Sequence, residues 1–350
     1  MHKSSRIFSI DGVVFFCIFI LSLLSTFILY SITPYLYPSY FIYLFAALMI
    51  FYVFLKIDYQ IFETFSVVLY IVSIILLVVT LVIGQTTRGA IRWIPIGPIS
   101  IQPSEIFRPF LLIYFAKYLT SREMSLKHLA KTFVVFFVPF VLILIQPSLG
   151  VAILTAVGFL GVILASSINK KYIFTASIAF LLLLPILWLL LAPYQKQRVF
   201  TFMNPAADPR GAGYNSIQSM ITVGSGELLG RGLGEGIQTQ LQFLPEKHTD
   251  FIFAAISEEL GFLGSFVLLT VLFLFFLMFI KIIEKAKDPS ARAFTTGVFL
   301  VLLTETIIHI GMNMGLLPIT GVVLPFVSAG GSALLGTTLS VAMCLNAKKA

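Results

Sequence analysis

The chain has 350 residues, of which 59% are hydrophobic and 11% are charged, and its formal net charge is +8. A typical soluble domain carries about 25% charged residues, so a mean hydropathy of +1.02 leaves too few polar side chains to cover a water-facing surface. Soluble enzymes and disordered scaffolds are therefore excluded, and the basic excess is explained by cytoplasmic loops of a membrane protein rather than by nucleic acid.

Apolar runs predict the membrane-spanning helices, because the hydrocarbon core needs about 20 apolar residues per helix. Every backbone amide there must be satisfied within the protein, so we predict an all-α, polytopic membrane bundle that forms one domain over residues 1–350. The first run follows Lys3 and Arg6 like a signal peptide, but its length and lack of a cleavage site favour an uncleaved helix. About ten spans are predicted, near 12–32, 39–55, 64–83, 106–120, 132–146, 149–168, 172–192, 251–280, 293–312 and 325–346.

The basic residues predict the orientation of the bundle. With both termini in the cytoplasm, most of the 23 lysines and arginines lie on the inner side, as the positive-inside rule requires. Two external segments then stand out, at about 84–105 and about 193–249. The second is longer than most connections, and such loops are usually functional or disordered. Its aromatic, leucine and methionine content favours short helices on the outer membrane surface.

Asp250 ends the long external segment, directly before a hydrophobic helix that starts at Phe251. An aspartate at this place can cap the helix, because its carboxylate accepts hydrogen bonds from unpaired backbone N–H groups. It can equally serve as a general base, since a carboxylate at a partly dry boundary can have its pKa tuned for proton transfer. The two roles are compatible, and the residues alone leave both open.

A group of cations lies on the same outer side, against the positive-inside trend. Arginine guanidinium groups match phosphate oxygens in a bidentate manner, so a lipid-linked pyrophosphate is a suitable ligand for this surface. The alternative is a solvated loop surface with some contact to lipid headgroups. The cations are Arg88, Arg92, Arg108, Lys196, Arg198, Arg210, Arg231 and Lys247.

Three further features are chemically less specific. A glycine-dense run between Gly224 and Gly236 does not have the spacing of a dinucleotide-binding loop, and we predict close backbone packing or a tight turn instead. Glu258, Glu259, Glu305 and His309 are ionisable residues inside spans. The last two share a helix face, which predicts a hydrogen-bonded pair, a proton relay or the lining of a polar cavity. Prolines and glycines in residues 315–332 interrupt an apolar stretch, as in the broken helices of transporters.

Four groups of residues carry a resemblance to a known family. They are Arg92-Trp93 with the QPSE segment ending at Glu105, NPAADPRGAGYNSIQS at 204–219, LPEKHTDFIFAAISEELGFLG, and a signature of Pro318, Gly321, Phe326-Val327 and Ser328-Ala329-Gly330-Gly331-Ser332. With these motifs in family order, the chain is identified as a member of the SEDS family (shape, elongation, division and sporulation). The LPEKHTDFIFA wording and residues 198–202 favour the elongation branch over the division branch.

Two positions depart from the family pattern. Members commonly have lysine where this chain has Arg108, so the charge is kept but its geometry differs. The signature usually opens with asparagine or valine where this chain has His309, which puts any family role of that position in doubt.

The resemblance implies a peptidoglycan glycosyltransferase that polymerises lipid II at the outer face of the bacterial cytoplasmic membrane. The acceptor 4-hydroxyl would attack the anomeric carbon of the undecaprenyl-pyrophosphate-linked glycan, with Asp250 as general base. Outward-facing cations would stabilise the leaving undecaprenyl pyrophosphate. Mg²⁺ or Mn²⁺ is the one cofactor that this chemistry suggests, and its ligands are unassigned. Trp93 would stack on a sugar or anchor the loop at the interface.

The implied partner is a class B penicillin-binding protein, bound through membrane helices. A lipid II flippase and a non-catalytic scaffold for that partner are the alternative functions, and Asp250 separates them because only the polymerase needs a base at the outer boundary. The residues expected to bind substrate are Arg92, Trp93, Arg108, Arg198, Lys247 and His248.

Overall fold

The structure is a computed structural model that describes residues 9–87, 90–97, 99–121, 126–166, 171, 189 and 193–349. Helices dominate these ranges, which confirms the predicted all-α bundle. Their bounds are α1 (Ile10–Ile32), α2 (Tyr37–Phe54), α3 (Tyr59–Thr64), α4 (Ser66–Ile83), α5 (Pro103–Ile106), α6 (Arg108–Thr120), α7 (Leu126–Ile145), α8 (Leu149–Ala165), α9 (Pro193–Met203), α10 (Tyr214–Ser225), α11 (Ile237–Gln240), α12 (Ile252–Lys285), α13 (Pro289–Asn313) and α14 (Gly331–Ala347).

Six helical segments in the described ranges are long and apolar enough to cross a bilayer, namely α1, Pro34–Phe54, α4, α7, α12 and α13. Helices α8 and α14 are apolar but shorter. Each predicted span therefore coincides with a described helix, except 172–192, where residue 189 alone is described. The last span starts later than predicted, at Gly331, because Pro325 and the left-handed φ of Phe326 (62°) keep the preceding backbone out of a helix.

Helix α13 is the central element, since it packs against α6, α8, α12 and α14. Its closest approach to α8 is made by two glycines. A Cβ on Gly161 would lie 2.8 Å from the Cα of Gly297, so only small residues permit this crossing, as is common between helices in membranes. The buried core then extends through α1, α6, α12 and α14.

Residues 85–101 form a small antiparallel sheet that the sequence analysis did not predict. Strands β1 (Gln85–Thr87), β2 (Ala90–Ile96) and β3 (Ile99–Ile101) pair in the order β1-β2-β3. Isoleucine-rich runs on both sides of Gly97-Pro98 are the hairpin signal that was available. The sheet hydrogen-bonds to the bundle through the Tyr43 hydroxyl, which donates to the Ser100 carbonyl (2.7 Å) and accepts from its N–H (2.8 Å).

The long segment at 193–249 contains α9, α10 and α11, which confirms the predicted short helices. Its glycine-rich part lies against a kink in α12 at Gly261, where φ is 67°. The N–H groups of Arg231 and Gly232 donate to the carbonyls of Glu258 (2.9 Å) and Glu259 (3.1 Å). A Cβ on Gly230 would collide with the Glu259 backbone. The predicted close backbone packing is confirmed.

Candidate active site

Asp250 lies on a tight turn two residues before α12 begins at Ile252. Three consecutive carbonyl oxygens of this turn, at residues 248–250, accept hydrogen bonds from the C-terminal part of the chain. In order, their donors are the N–H of Ala329 (2.9 Å), the hydroxyl of Ser328 (2.8 Å) and the side-chain amide of Asn313 (3.0 Å). Hydrogen bonds thus hold the backbone at residues 248, 249 and 250.

The N-cap position of α12 belongs to Phe251 and not to Asp250. A phenylalanine ring cannot accept a hydrogen bond from the first turn. The side-chain cap comes instead from another helix, because Oδ1 of Asn313 accepts the N–H of Ala254 at 3.0 Å. Asn313 therefore satisfies one N–H of the first turn, a task that the sequence left open for the Asp250 carboxylate.

The Asp250 carboxylate is half-buried and faces Gly321. A Cβ added to Gly321 would lie 3.6 Å from Oδ2 of Asp250, so the glycine keeps the space beside this oxygen open. Gly321 also has a φ of 72°, in the left-handed region that favours glycine. The signature therefore contributes backbone with no side chain at the point nearest to the carboxylate.

Two predicted cations lie in the same charge cluster as Asp250. Glu105 of α5 is within electrostatic range of Arg92, Arg108 and Asp250. These four residues, called the charge cluster below, come from β2, α5, the start of α6 and the turn before α12. The QPSE motif is part of the family resemblance, but Glu105 was not among the predicted site residues. Its spacing of three residues from Arg108, which within one helix would place both on the same face, was the available signal.

Arg92 and Trp93 are consecutive residues of β2, and both are partly buried. The Nε of Arg92 has no hydrogen-bond partner among the described residues, and the guanidinium carbon lies 6.0 Å from the Trp93 ring centroid. The sheet that carries them is tied to the signature, because the Ser332 hydroxyl accepts the N–H of Gln102 at 2.8 Å. The signature thus positions both the Asp250 turn and the strand segment with its cation.

Arg108 opens α6 with a side chain that is only 8% exposed. It lines a cavity of about 10 Å³ together with Glu105, Glu305, Thr337 and Ser340, which is about the volume that one water needs. A buried guanidinium without an opposing charge is costly, and Glu105 and Glu305 both lie within electrostatic range of Arg108.

The predicted hydrogen-bonded pair of Glu305 and His309 does not form. Nδ1 of His309 is 2.8 Å from the Val322 carbonyl, and its Nε2 has no partner in the described part of the chain. His309 therefore holds the segment that leads from Gly321, while Glu305 lines the small cavity together with Arg108. The pairing failed because the broken segment after α13 folds back on the histidine and supplies a carbonyl.

Arg198 lies on α9, is exposed, and donates to the Ile319 carbonyl at 3.2 Å. It borders a groove of about 380 Å³ between α9, the start of α10 and residues 317–319. Sites for small molecules start at about this size. Because Ile319 is two residues from Gly321, the groove adjoins the Asp250 carboxylate along the same backbone segment.

Lys247 and His248 both precede Asp250 but differ in exposure. Lys247 is 7% exposed, and its ammonium donates to the Thr239 carbonyl of α11. Burial lowers the pKa of Lys247, and the charges of Glu259 and Glu258 oppose that shift. Lys247 thus points into the loop. His248 is partly exposed. Arg88 lies outside the described residues.

Within the described ranges, no three His, Cys, Asp or Glu side chains converge in a way that could hold a metal ion. The charge cluster offers two carboxylates, Asp250 and Glu105. Mg²⁺ is commonly bound by one or two carboxylates together with substrate phosphates.

Comparisons with known proteins agree on one family. Residues 6–350 match the family model FTSW_RODA_SPOVE, described as cell cycle protein. The peptidoglycan glycosyltransferase MrdB of Escherichia coli K12 is 40% identical over 284 residues, or 80% of this chain and 76% of MrdB. A probable peptidoglycan glycosyltransferase FtsW of Wigglesworthia glossinidia brevipalpis is 32% identical over 98% of this chain and 94% of its own. A chain from the solved structure titled "Structural coordination of polymerization and crosslinking by a peptidoglycan synthase complex" superimposes with a TM-score of 0.84, at 26% identity over 96% of each chain.

Proposed function

The chain belongs to the FtsW/RodA/SpoVE family of cell cycle proteins, and we propose that it extends peptidoglycan glycan strands with Asp250 as general base. It is a multi-pass membrane protein and a peptidoglycan glycosyltransferase. It acts in cell elongation, in line with the wording of its LPEKHTDFIFA motif. The names of its relatives favour this activity over the flippase and scaffold alternatives.

The reaction that fits the site is glycosyl transfer from a lipid-linked pyrophosphate. The 4-hydroxyl of lipid II attacks the anomeric carbon of the growing strand, and Asp250 takes the hydroxyl proton as the new glycosidic bond forms. The bond from that carbon to the pyrophosphate breaks, and undecaprenyl pyrophosphate leaves with the electron pair. A positioned general base contributes about 10²- to 10⁴-fold. The rigid Asp250 turn beside the charge cluster is the observation that carries this proposal.

Arg92 and Arg108 are proposed to stabilise the leaving group. Negative charge grows on the pyrophosphate as the bond breaks, and preformed cations in a partly dry site stabilise it more than water does. The unpartnered Nε of Arg92 among the described residues and the burial of Arg108 support this assignment. A divalent cation, Mg²⁺ or Mn²⁺, is proposed to share Asp250 and Glu105 with the pyrophosphate, where it would neutralise charge.

The other predicted binding residues take different parts. Arg198 borders the groove next to residue 321 and is proposed to contact lipid II there, and His248 and Trp93 are proposed to line the sugar path. A role of Trp93 as interface anchor fits its partial burial equally well. Lys247 is proposed to act on substrate only through the loop, because its ammonium bonds to the Thr239 carbonyl.

We propose that both termini face the cytoplasm and that Asp250 faces outward. Helix α14 has 17 residues, so its two ends lie about 25 Å apart at 1.5 Å per residue. At its C-terminal end, Lys348 pairs with Asp11 at the start of α1. Its N-terminal end follows Ala329, which bonds to the Asp250 turn. A class B penicillin-binding protein and lipid II complete the proposal as membrane partner and substrate.

The proposal predicts that Asp250→Asn abolishes polymer formation from lipid II by the purified full-length protein. The loss should be at least about 10²-fold, because the amide cannot take the proton. Glycan product on a gel and the thermal unfolding midpoint are measured together. Glu235→Gln is the matched control, since it removes an exposed carboxylate from the same external segment. Polymer yield from Asp250→Asn equal to that of the parent would remove Asp250 from the mechanism.

A further inference from the structure

Asn313, the last residue of α13, is fully buried and joins three helices. Its side-chain amide nitrogen donates to the carbonyl of Asp250 at 3.0 Å and to that of His309 at 2.7 Å. Its Oδ1 accepts the N–H of Ala254, and its own carbonyl accepts the hydroxyl of Ser219 on α10 at 2.9 Å. Every polar group of the side chain therefore has a partner.

Through these bonds Asn313 caps the start of α12, a role that the sequence left open for Asp250. The first turn of a helix leaves backbone N–H groups unpaired, and the residue at the N-cap usually satisfies one with its own side chain. Phe251 occupies that position in α12 and cannot do so. Asn313 satisfies the Ala254 N–H from the neighbouring helix and at the same time holds the carbonyl of Asp250.

We propose that Asn313 is a positioning residue for glycosyl transfer. It fixes the Asp250 peptide and the first turn of α12 as one unit, and so sets the direction in which the Asp250 carboxylate meets the acceptor hydroxyl. The inference rests on the proposed role of Asp250 as base. Placement matters here because a displacement of about 1 Å at a reacting group can cost about 10² in rate.

Two substitutions test the two sides of the amide. Asn313→Asp keeps an acceptor for the Ala254 N–H but loses the amide donor to Asp250. Asn313→Ala loses all three side-chain bonds, to Asp250, His309 and Ala254. Thr306→Val is the matched control, because Thr306 is a buried polar residue of the same helix whose hydroxyl bonds only within that helix, to the Leu302 carbonyl at 2.8 Å.

The measurement is steady-state polymerisation of lipid II by the full-length protein, with rates expressed per folded molecule. Both Asn313 variants should lower kcat by about 10- to 100-fold while KM for lipid II stays within about twofold, and Thr306→Val should match the parent. If Asn313→Asp does not fold, Asn313→Ala decides alone. Folded variants that turn over at the parental rate, or that change KM only, overturn the inference, because a purely structural role would reduce the folded fraction and not kcat.

Asp250→Asn in the same assay distinguishes a failure of the Asn313 inference from a failure of the proposed role of Asp250 as general base. An inactive Asp250→Asn protein beside Asn313 variants with parental kcat removes only the role of Asn313. Parental activity of Asp250→Asn removes the base and, with it, the reason for positioning that residue.

Discussion

Asp250 lies just before α12, and Glu258 and Glu259 lie in the first part of that helix. The surroundings of these carboxylates differ. Glu258 and Glu259 are at most 1% exposed, and their oxygens accept bonds from the loop. Glu258 accepts the N–H groups of Gln238 (2.9 Å) and Thr239 (3.0 Å). At Asp250, the side chain of Asn313 holds the backbone carbonyl. The Asp250 carboxylate faces Gly321 and belongs to the charge cluster.

The difference shows how burial and bonding divide structural from chemical acids. A carboxylate that accepts several backbone N–H groups organises the chain around it and is poorly placed to accept a substrate proton. A carboxylate on a turn whose backbone is bonded at three consecutive carbonyls has a defined position instead. The glutamates therefore organise the external loop, and the aspartate is the one proposed as general base.

The largest expected effect after loss of Asp250 is at Arg108. Arg108→Ala should lower polymerisation per folded molecule by about 10²-fold, as loss of one charge-stabilising donor does elsewhere. Arg108→Lys keeps the charge and should retain activity within about tenfold. Lipid II polymerisation by purified variants checks both. If Arg108→Ala keeps parental activity, the charge cluster does not stabilise the pyrophosphate.

Glu258→Ala should act on stability instead. Its removal leaves two backbone N–H groups at the start of α11 without their acceptor, which costs about 1–3 kcal/mol for each buried group. The thermal midpoint should fall clearly, while turnover per folded molecule stays near the parental value. If Glu258→Ala has parental stability but has lost activity, Glu258 takes part in the reaction, and the distinction drawn between Glu258 and Asp250 is wrong.

Gly321→Ala should have a smaller effect on both properties. The left-handed backbone at Gly321 costs an alanine about 1–3 kcal/mol, and the new methyl group would be in van der Waals contact with Oδ2 of Asp250. Gly224→Ala is the matched control: Gly224 is in helix α10, and an added Cβ there meets nothing within 4 Å. Alanine should stabilise that position by up to about 1 kcal/mol. Equal activity of the two variants would show that Gly321 serves the turn alone.

Much of this architecture was predictable from the sequence, because apolar length is a direct consequence of bilayer thickness. The spans, the short helices of the external segment and the packing of its glycines all followed from composition and turn residues. Asp250 was nominated from its position before a hydrophobic helix, and Arg92 and Arg108 from charges placed against the positive-inside trend. All three lie within electrostatic range of Glu105.

The remainder depended on contacts between distant segments. Nothing in the local pattern shows that Asn313 caps α12 from another helix, that Lys247 turns toward Thr239, or that the Val322 carbonyl takes the bond predicted between His309 and Glu305. The β-sheet was missed because its strands are short and lie in a segment dominated by glycine and proline.

The most direct test compares Asp250→Asn with Glu258→Gln in one experiment that measures glycan formation and the thermal midpoint of each full-length variant. The account predicts that the first protein melts like the parent and makes no polymer, and that the second melts earlier and polymerises at the parental rate per folded molecule. The reverse pattern, or an active Asp250→Asn protein, would contradict it.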